Sequence, residues 1–392
     1  MIQSAGAIAP AARSFARAEL RHLRVRDFRN LATVDASIPP GGLALVGDNA
    51  QGKTNFLEAV YYLQLLRSFR GDRDQELVRF GATGFHLAGA VAGPGAREIA
   101  IGFERPASGR GSGRKRARIN GAEPLRLSDA LGALPSVIFS PRDAVIITGG
   151  PGERRRYLDV MLALTSRPYL TALQRYRAAL ANRNAALRST KSLEGDDAVA
   201  VWEAPLAESG AVLWDARKSW VASQSARFAE LSSAIGERGE AALEYRPRVH
   251  ETETAVGLEV TLREWFERKR TLDVRRGITH IGPHRDELAI LLNGRDMHGY
   301  ASAGQQRTAA IALRLLEAET LRAATAMEPV VLLDDPFAEL DAHRSRRILD
   351  LLNTSGHGQT LLAVPRPADI PAGFTRLERW RVSDGVLARE HE

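Results

Sequence analysis

The sequence contains no cysteine, which removes disulfides, thiol nucleophiles and cysteine-bound structural zinc together and fits a reducing compartment. It also lacks any apolar run approaching the roughly eighteen residues that span a bilayer. No charged segment precedes the short Ala-rich stretch in Met1–Ala12, so neither a membrane span nor a signal peptide is expected. The expectation is a cytoplasmic protein with no membrane partner. Sustained heptads are missing, which argues against a long coiled coil. Aromatic residues make up only 6% of the chain. Four of the five tryptophans, Trp202, Trp214, Trp220 and Trp265, fall in helical text and read as core, not as platforms for stacked bases.

What is present is ordinary globular material: 392 residues, 44% hydrophobic, enough for roughly two or three domains. The net charge of +7 is uneven. Residues 1–145 hold 20 basic and 13 acidic residues, residues 146–274 hold 19 and 18, and residues 275–392 hold 15 and 16. The first third therefore carries the surplus, nearly all of it arginine. Two readings stand: codon bias with solvated surfaces, or an anionic partner such as nucleic acid.

Short apolar bursts at Leu23–Val25 and Leu43–Val46 read as strands, and Phe56, Val60 and Leu63 keep helical spacing. Asn120-Gly121 and Asn293-Gly294 read as tight hairpin turns. The middle third is different. Leu170, Leu173, Tyr176 and Leu180 are helically spaced, as are Leu262, Phe266, Lys269 and Leu272, with a stop near Gly277. Lys191–Asp197 is polar and reads as a loop.

The strongest motif is Gly47-Asp48-Asn49-Ala50-Gln51-Gly52-Lys53-Thr54, a complete G-x-x-x-x-G-K-[ST] phosphate loop between an apolar strand and an amphipathic helix. Its glycines let backbone N–H groups close around phosphate oxygens, Lys53 reaches the β- and γ-phosphates, and the Thr54 hydroxyl ligates Mg²⁺. The helix N-terminus adds its dipole. ATP and Mg²⁺ are the cofactors this implies. Pro329–Leu333 is an apolar strand ending in Asp334-Asp335, and a buried parallel strand delivers such carboxylates to its C-terminal edge. Asp334 is placed to hold Mg²⁺, and Asp335 to act as the catalytic carboxylate beside the attacking water.

Twenty-seven residues before that strand, Ser302-Ala303-Gly304-Gln305 resembles the S-x-G-Q signature of ABC-type ATPases, which offers a hydroxyl and helix N-terminal amides to a γ-phosphate. An ordinary serine N-cap is the other reading of Ser302. The order decides for the signature: phosphate loop, long insertion, signature, Asp-Asp strand, then Glu339-Leu340-Asp341 resembling a D-loop with Asp341 as its acid. The fold class expected is α/β, an ABC-type (SMC-like) P-loop ATPase head with an inserted, mainly helical lobe. Its parts are an N-terminal extension (1–18), the N-terminal part of the head (19–145), the helical lobe (146–274) and the C-terminal part of the head (275–392).

Further blocks make the resemblance specific. Asp27-Phe28-Arg29-Asn30-Leu31, Ser68-Phe69-Arg70, Phe139-Ser140-Pro141, Arg154–Asp159, Gly282–Asp286 and Ser302–Arg307 resemble blocks of the RecF recombination-mediator family. The resemblance spans most of the chain. It implies a homodimer, assembled by ATP, that clamps DNA at single-strand gaps and hydrolyses ATP slowly for release. It also implies RecR and RecO as partners and RecA as the protein loaded. Residues 1–18 precede the blocks and are expected to be a disordered extension or the product of a misplaced start codon. No histidine stands in Leu361–Arg366, where ABC enzymes carry a switch histidine, and no Q-loop glutamine is evident. Both departures favour a slow ATPase, and with the family resemblance the expectation is weak, DNA-stimulated turnover. A nucleotide-binding subunit of a transporter and a structural SMC-like ATPase are the alternatives.

Three charged features have open readings. Arg110–Arg118 runs into the Asn120-Gly121 turn, where Arg114, Lys115 and Arg116 either lie along DNA phosphates or protect a solvated strand edge. Arg154–Arg156 open a helix and read first as intramolecular pairs. His284-Arg285-Asp286 reads as a structural ion pair.

Overall fold

The computed structural model describes residues 15–95, 97–106, 111–189, 197–248, 257–337, 340–354 and 358–390. Residues 1–14, Arg110, residues 191–196 and Glu339, all named above, lie outside them. At the centre is a six-stranded sheet in the order Val386–Arg389, Glu378–Ser383, Gly42–Val46, Thr360–Val364, Val330–Asp334, Ser136–Phe139. All neighbours are parallel except the Val386–Arg389 edge. Its inner strands read as unbroken apolar runs because both faces are buried. Leu43 and Leu45 enter one core, and Ala44 and Val46 enter the other, as the two-residue period of a strand requires.

The first core is closed by a five-stranded antiparallel sheet in the order Leu31–Ser37, Glu19–Phe28, Gly84–Ala92, Arg97–Glu104, Arg114–Ile119. Between the two sheets lies the helix Lys53–Leu65, eleven of whose residues are buried. A helix buried on nearly every side needs apolar residues on nearly every side, and Phe56, Leu57, Val60, Leu63 and Leu65 provide them. The second core joins the opposite face to helices Pro151–Thr165 and Ala303–Thr325 and to the inserted lobe.

The lobe contains helices Arg167–Ser189, Glu203–Ile235 and Leu258–Arg276, the last capped by Gly277 in the left-handed region as its sequence suggests. Two strand pairings cross the expected boundaries. Strand Ala241–Arg246 pairs with Glu287–Leu292, which pairs with Arg295–Asp296. The lobe's sheet is thus assembled across position 274, and residues up to 296 pack with it. At the N-terminus, Ala16-Arg17 pairs with Met327-Glu328, and the Phe15 ring lies under Arg322. Residues 15–18 are therefore ordered parts of the head, not a disordered extension.

Both Asn-Gly turns form with positive φ at each residue, the backbone of a type I′ turn. Asn293-Gly294 joins two strands. Asn120-Gly121 closes only a single bridge from Ile119 to Ala122.

Candidate nucleotide site

Strand Gly42–Val46 ends at the phosphate loop, which wraps into the first turn of Lys53–Leu65. Gly52 caps that helix at φ 119°, and a Cβ there would come within 3.0 Å of the Asn30 side chain; only glycine fits both constraints. Ala50 also adopts the left-handed region, at φ 67°. Lys53 folds over the loop and donates to the carbonyls of Gly47 (2.5 Å) and Asp48 (2.7 Å). Burial lowers its pKa, opposed by the charges of Asp334, Asp335 and Asp48.

Across the cleft, the Thr54 hydroxyl donates to Asp334 Oδ1 at 2.7 Å, joining residues 280 positions apart. Burial raises the pKa of Asp334. It also raises that of Asp335, and nearby Asp369 adds to the effect. Asp335 stands at φ 46°, anchored by its amide to the Ala363 carbonyl at 3.0 Å. Asn49, Gly52, Lys53, Thr54, Asp334 and Asp335 thus line one cleft of about 430 Å³. A hydroxyl and a carboxylate in contact are oxygen donors of the kind that would suit Mg²⁺. Pro365 occupies the cleft wall where a switch histidine was sought.

The sequence reading gave no role to several residues that shape this cleft. Arg70 lines it, donating through Nη2 to Asn55 Oδ1 at 3.0 Å, with burial lowering its pKa. Asn55 donates to Asn30 Oδ1 at 2.8 Å, and Asn30 donates to the Gln51 carbonyl at 3.1 Å. Beneath them Glu58, fully buried, accepts from Arg29 Nε at 2.9 Å and from the Ser68 hydroxyl, with Arg70 Nε at 3.7 Å. The Asp27–Leu31 and Ser68–Arg70 blocks meet behind the phosphate loop and hold it. Polar Arg and Asn residues at a strand end were the available signal.

The signature lies elsewhere. Ser302 caps helix Ala303–Thr325 in a reciprocal box, its hydroxyl accepting from Gln305 N at 3.3 Å while its own amide donates to Gln305 Oε1 at 2.9 Å. Gln305 and Asp341 line a separate cavity of about 870 Å³, and none of Ser302, Gly304 and Gln305 lines the phosphate cleft. Arg307, one turn into the same helix, donates to the carbonyls of Ser140 (2.9 Å) and Pro336 (3.3 Å).

A family profile for the RecF/RecN/SMC N terminal domain matches residues 19–366. Curated relatives called DNA replication and repair protein RecF include one from Roseiflexus castenholzii, 36% identical over 93% of this chain and 98% of its own length. Another, from Anaeromyxobacter sp., is 37% identical over 94% of this chain and 99% of its own. The chain belongs to the RecF family. Its fold matches the solved structure of the recombination mediator RecF with ATP at a TM-score of 0.85 and 30% identity, over 97% of this chain and all of that one. An Smc head domain from Pyrococcus furiosus, at a TM-score of 0.52 and 18% identity, shares the fold alone. The RecF-family head is thus an ABC-type ATPase fold, as the order of motifs suggests. No described helix is long and apolar enough to cross a membrane.

The basic run of this RecF-family chain divides by strand parity. Arg114, Arg116 and Arg118 are exposed on strand Arg114–Ile119, whereas Lys115 turns inward. Lys115 pairs with Asp74 at 2.6 Å, donates to the Leu66 carbonyl and lies over the Tyr62 ring. It is therefore placed as a structural residue and not beside Arg114 and Arg116. The register aligns Arg26, His86, Gly102 and Arg116 across the outer sheet face, with Arg24, Ala88, Ala100 and Arg118 in the next row. Two lines of arginine flank a floor of His86 and small residues.

Arg154 pairs with Glu287 at 2.7 Å, Arg155 donates to the Asp286 carbonyl and Arg156 to the Ser68 carbonyl, so these arginines do turn inward. His284-Arg285-Asp286 does not form an ion pair within itself. Asp286 instead accepts from the Tyr245 hydroxyl (2.7 Å) and Arg248 N (2.9 Å), while His284 Nδ1 meets the Tyr176 hydroxyl at 2.6 Å. Burial lowers the His284 pKa to about 4, which keeps the ring neutral at physiological pH.

Proposed function

We propose that this protein is an ATP-dependent DNA-binding recombination mediator acting in DNA repair and replication in the cytoplasm. ATP closes two copies face to face. The observation that carries this reading is the separation of the two half-sites: no signature residue lines the phosphate cleft, and Gln305 lines a different cavity of the same chain. A complete site then needs the signature of a second copy.

Within each site the loop amides and Lys53 hold the β- and γ-phosphates. Thr54 and Asp334 are the residues that would hold Mg²⁺, whose charge would offset that developing on the phosphoryl oxygens. Asp335 orients the attacking water or takes its proton. Arg70 supplies a second cation at the cleft wall. Ser302, Gly304 and Gln305 meet the γ-phosphate bound to the other copy, and Asp341 begins the neighbouring helix at that seam. The cleft wall has Pro365 where an acid–base histidine would stand, which supports slow turnover. By family, the clamp sits on DNA at single-strand gaps and works with RecR and RecO to load RecA.

DNA binding is assigned to the outer sheet face. The double variant Arg114→Glu/Arg116→Glu is expected to weaken duplex binding while ATP binding stays unchanged. If both residues touch phosphate, the slope of log K against log salt falls by about 1.8, from roughly 0.9 per phosphate contact. Fluorescence anisotropy across a salt series measures it; an unchanged slope removes DNA from this face. Lys115→Glu is expected to act differently, lowering thermal stability by breaking the inward Asp74 pair.

A further inference from the structure

Beside the signature glycine stands an arginine to which nothing above gives a role. Arg344 belongs to the helix Ala342–Thr354, whose first turn is capped by Asp341 through Arg344 N at 2.8 Å. Its guanidinium lies against Gly304: a Cβ added there would come within 2.8 Å of Arg344 Nη1. The absence of a side chain at Gly304 is what lets the cation reach the start of the signature helix. Arg344 and Gln305 line the same cavity, with Arg238, His343 and Arg347 adding positive or titratable groups and Glu237 and Asp341 the negative ones.

The electrostatics of this position call for an anion. Two helices, of 23 and 13 residues, begin here, and each places the positive end of its dipole beside the guanidinium. The ion pair of Arg344 among the described residues is with Asp341, at 3.7 Å, well outside the 2.7–2.9 Å of a charge-assisted hydrogen bond. Gln305 N is taken by the Ser302 hydroxyl and Gln306 N by the Ser302 carbonyl. The amides of Ala303 and Gly304, in the first turn, have no intrahelical acceptor. A phosphate that accepts from those amides arrives against Arg344.

We propose that Arg344 acts in trans, contacting the terminal phosphate of ATP bound to the phosphate loop of a second copy and stabilising the charge that develops there during hydrolysis. This rests on the trans-signature reading above and adds to it a cation supplied by the partner. Planar guanidinium suits a phosphoryl group with spread charge better than ammonium does, so Arg344→Lys is expected to recover only part of the function.

The test separates action on the chain's own nucleotide from action on its partner's. Arg344→Ala is expected to bind ATP as wild type through its own Lys53 and to turn it over at least tenfold more slowly. It is then mixed in equal amounts with Asp335→Asn, which by itself retains only a small residual turnover. If Arg344 acts in trans, each mixed dimer holds one site with Asp335 on one side and Arg344 on the other. Random pairing makes half the dimers mixed, so turnover per protomer should rise to about a quarter of wild type. If Arg344 acts on its own nucleotide, no complete site exists in any dimer, and the mixture shows no more than the sum of its parts. That result overturns the proposal, as does wild-type turnover by Arg344→Ala alone. A parallel mixture of Ser302→Ala with Asp335→Asn distinguishes the failures. Recovery there without recovery for Arg344→Ala removes the Arg344 role alone; no recovery in either removes the trans-signature reading and this inference with it.

Discussion

Lys53→Ala is expected to fold as wild type and to lose ATP binding almost completely. In the structure the ammonium is buried within the loop, its bonds made to the Gly47 and Asp48 carbonyls at the cleft edge. Nucleotide binding is expected to redirect that charge from carbonyl dipoles to phosphate oxygens. A charge-assisted contact of this kind is worth on the order of 3 kcal/mol, roughly a hundredfold in Kd, and the lost long-range attraction for a polyanion adds to it. Removal leaves the two carbonyls facing cleft water and disturbs neither core, so circular dichroism and melting temperature should change little. Titration with a fluorescent nucleotide checks the expectation; near-wild-type affinity in the folded variant would contradict the phosphate-loop assignment.

Asp335→Asn has the opposite profile: ATP binding and dimerisation persist while turnover falls by about 10² to 10⁴, the range for loss of a positioned general base. The amide keeps the size of the side chain, and the backbone bond from Asp335 N to the Ala363 carbonyl is unaffected. Without hydrolysis the proposed clamp would stay closed, so the variant should leave gapped DNA more slowly than wild type under MgATP. The pH dependence supplies a second readout. Burial and Asp369 raise the Asp335 pKa in the nucleotide-free protein, and protonation removes a carboxylate base. Wild-type turnover should fall at acid pH, and the residual rate of Asp335→Asn should lack this limb. Single-turnover hydrolysis by Asp335→Asn at the wild-type rate would remove it as the catalytic carboxylate.

The phosphate loop and the Asp334-Asp335 strand are legible in sequence because their chemistry is local: each is a short apolar strand delivering polar groups at its C-terminal edge. Even the 280-residue link between Thr54 and Asp334 follows once both strands enter one parallel sheet. Arg70, Asn30 and Asn55 were harder to assign. They act through a hydrogen-bond chain that crosses from one turn to a helix to a loop, and no periodicity marks such a chain. Lys115 was legible in principle, since strand parity puts it on the same face as buried Ala117 and opposite Arg114 and Arg116; the cluster of like charges concealed the alternation. Strand Ala241–Arg246 was not legible, because its Ala-Ala-Leu-Glu-Tyr-Arg text has no β-branched residue and little intrinsic strand signal. Its pairing with Glu287–Leu292 supplies the order instead.

The most direct test of the account is sedimentation velocity of wild type and Ser302→Arg, each with saturating ATP and Mg²⁺. Wild type should move from monomer to dimer when MgATP is added. Ser302→Arg puts bulk and misplaced charge at the start of the signature helix, outside the cleft that its own Lys53 lines, so it should bind ATP with wild-type affinity and remain monomeric. An ATP-bound Ser302→Arg protein that dimerises as wild type does would contradict a signature working across two copies.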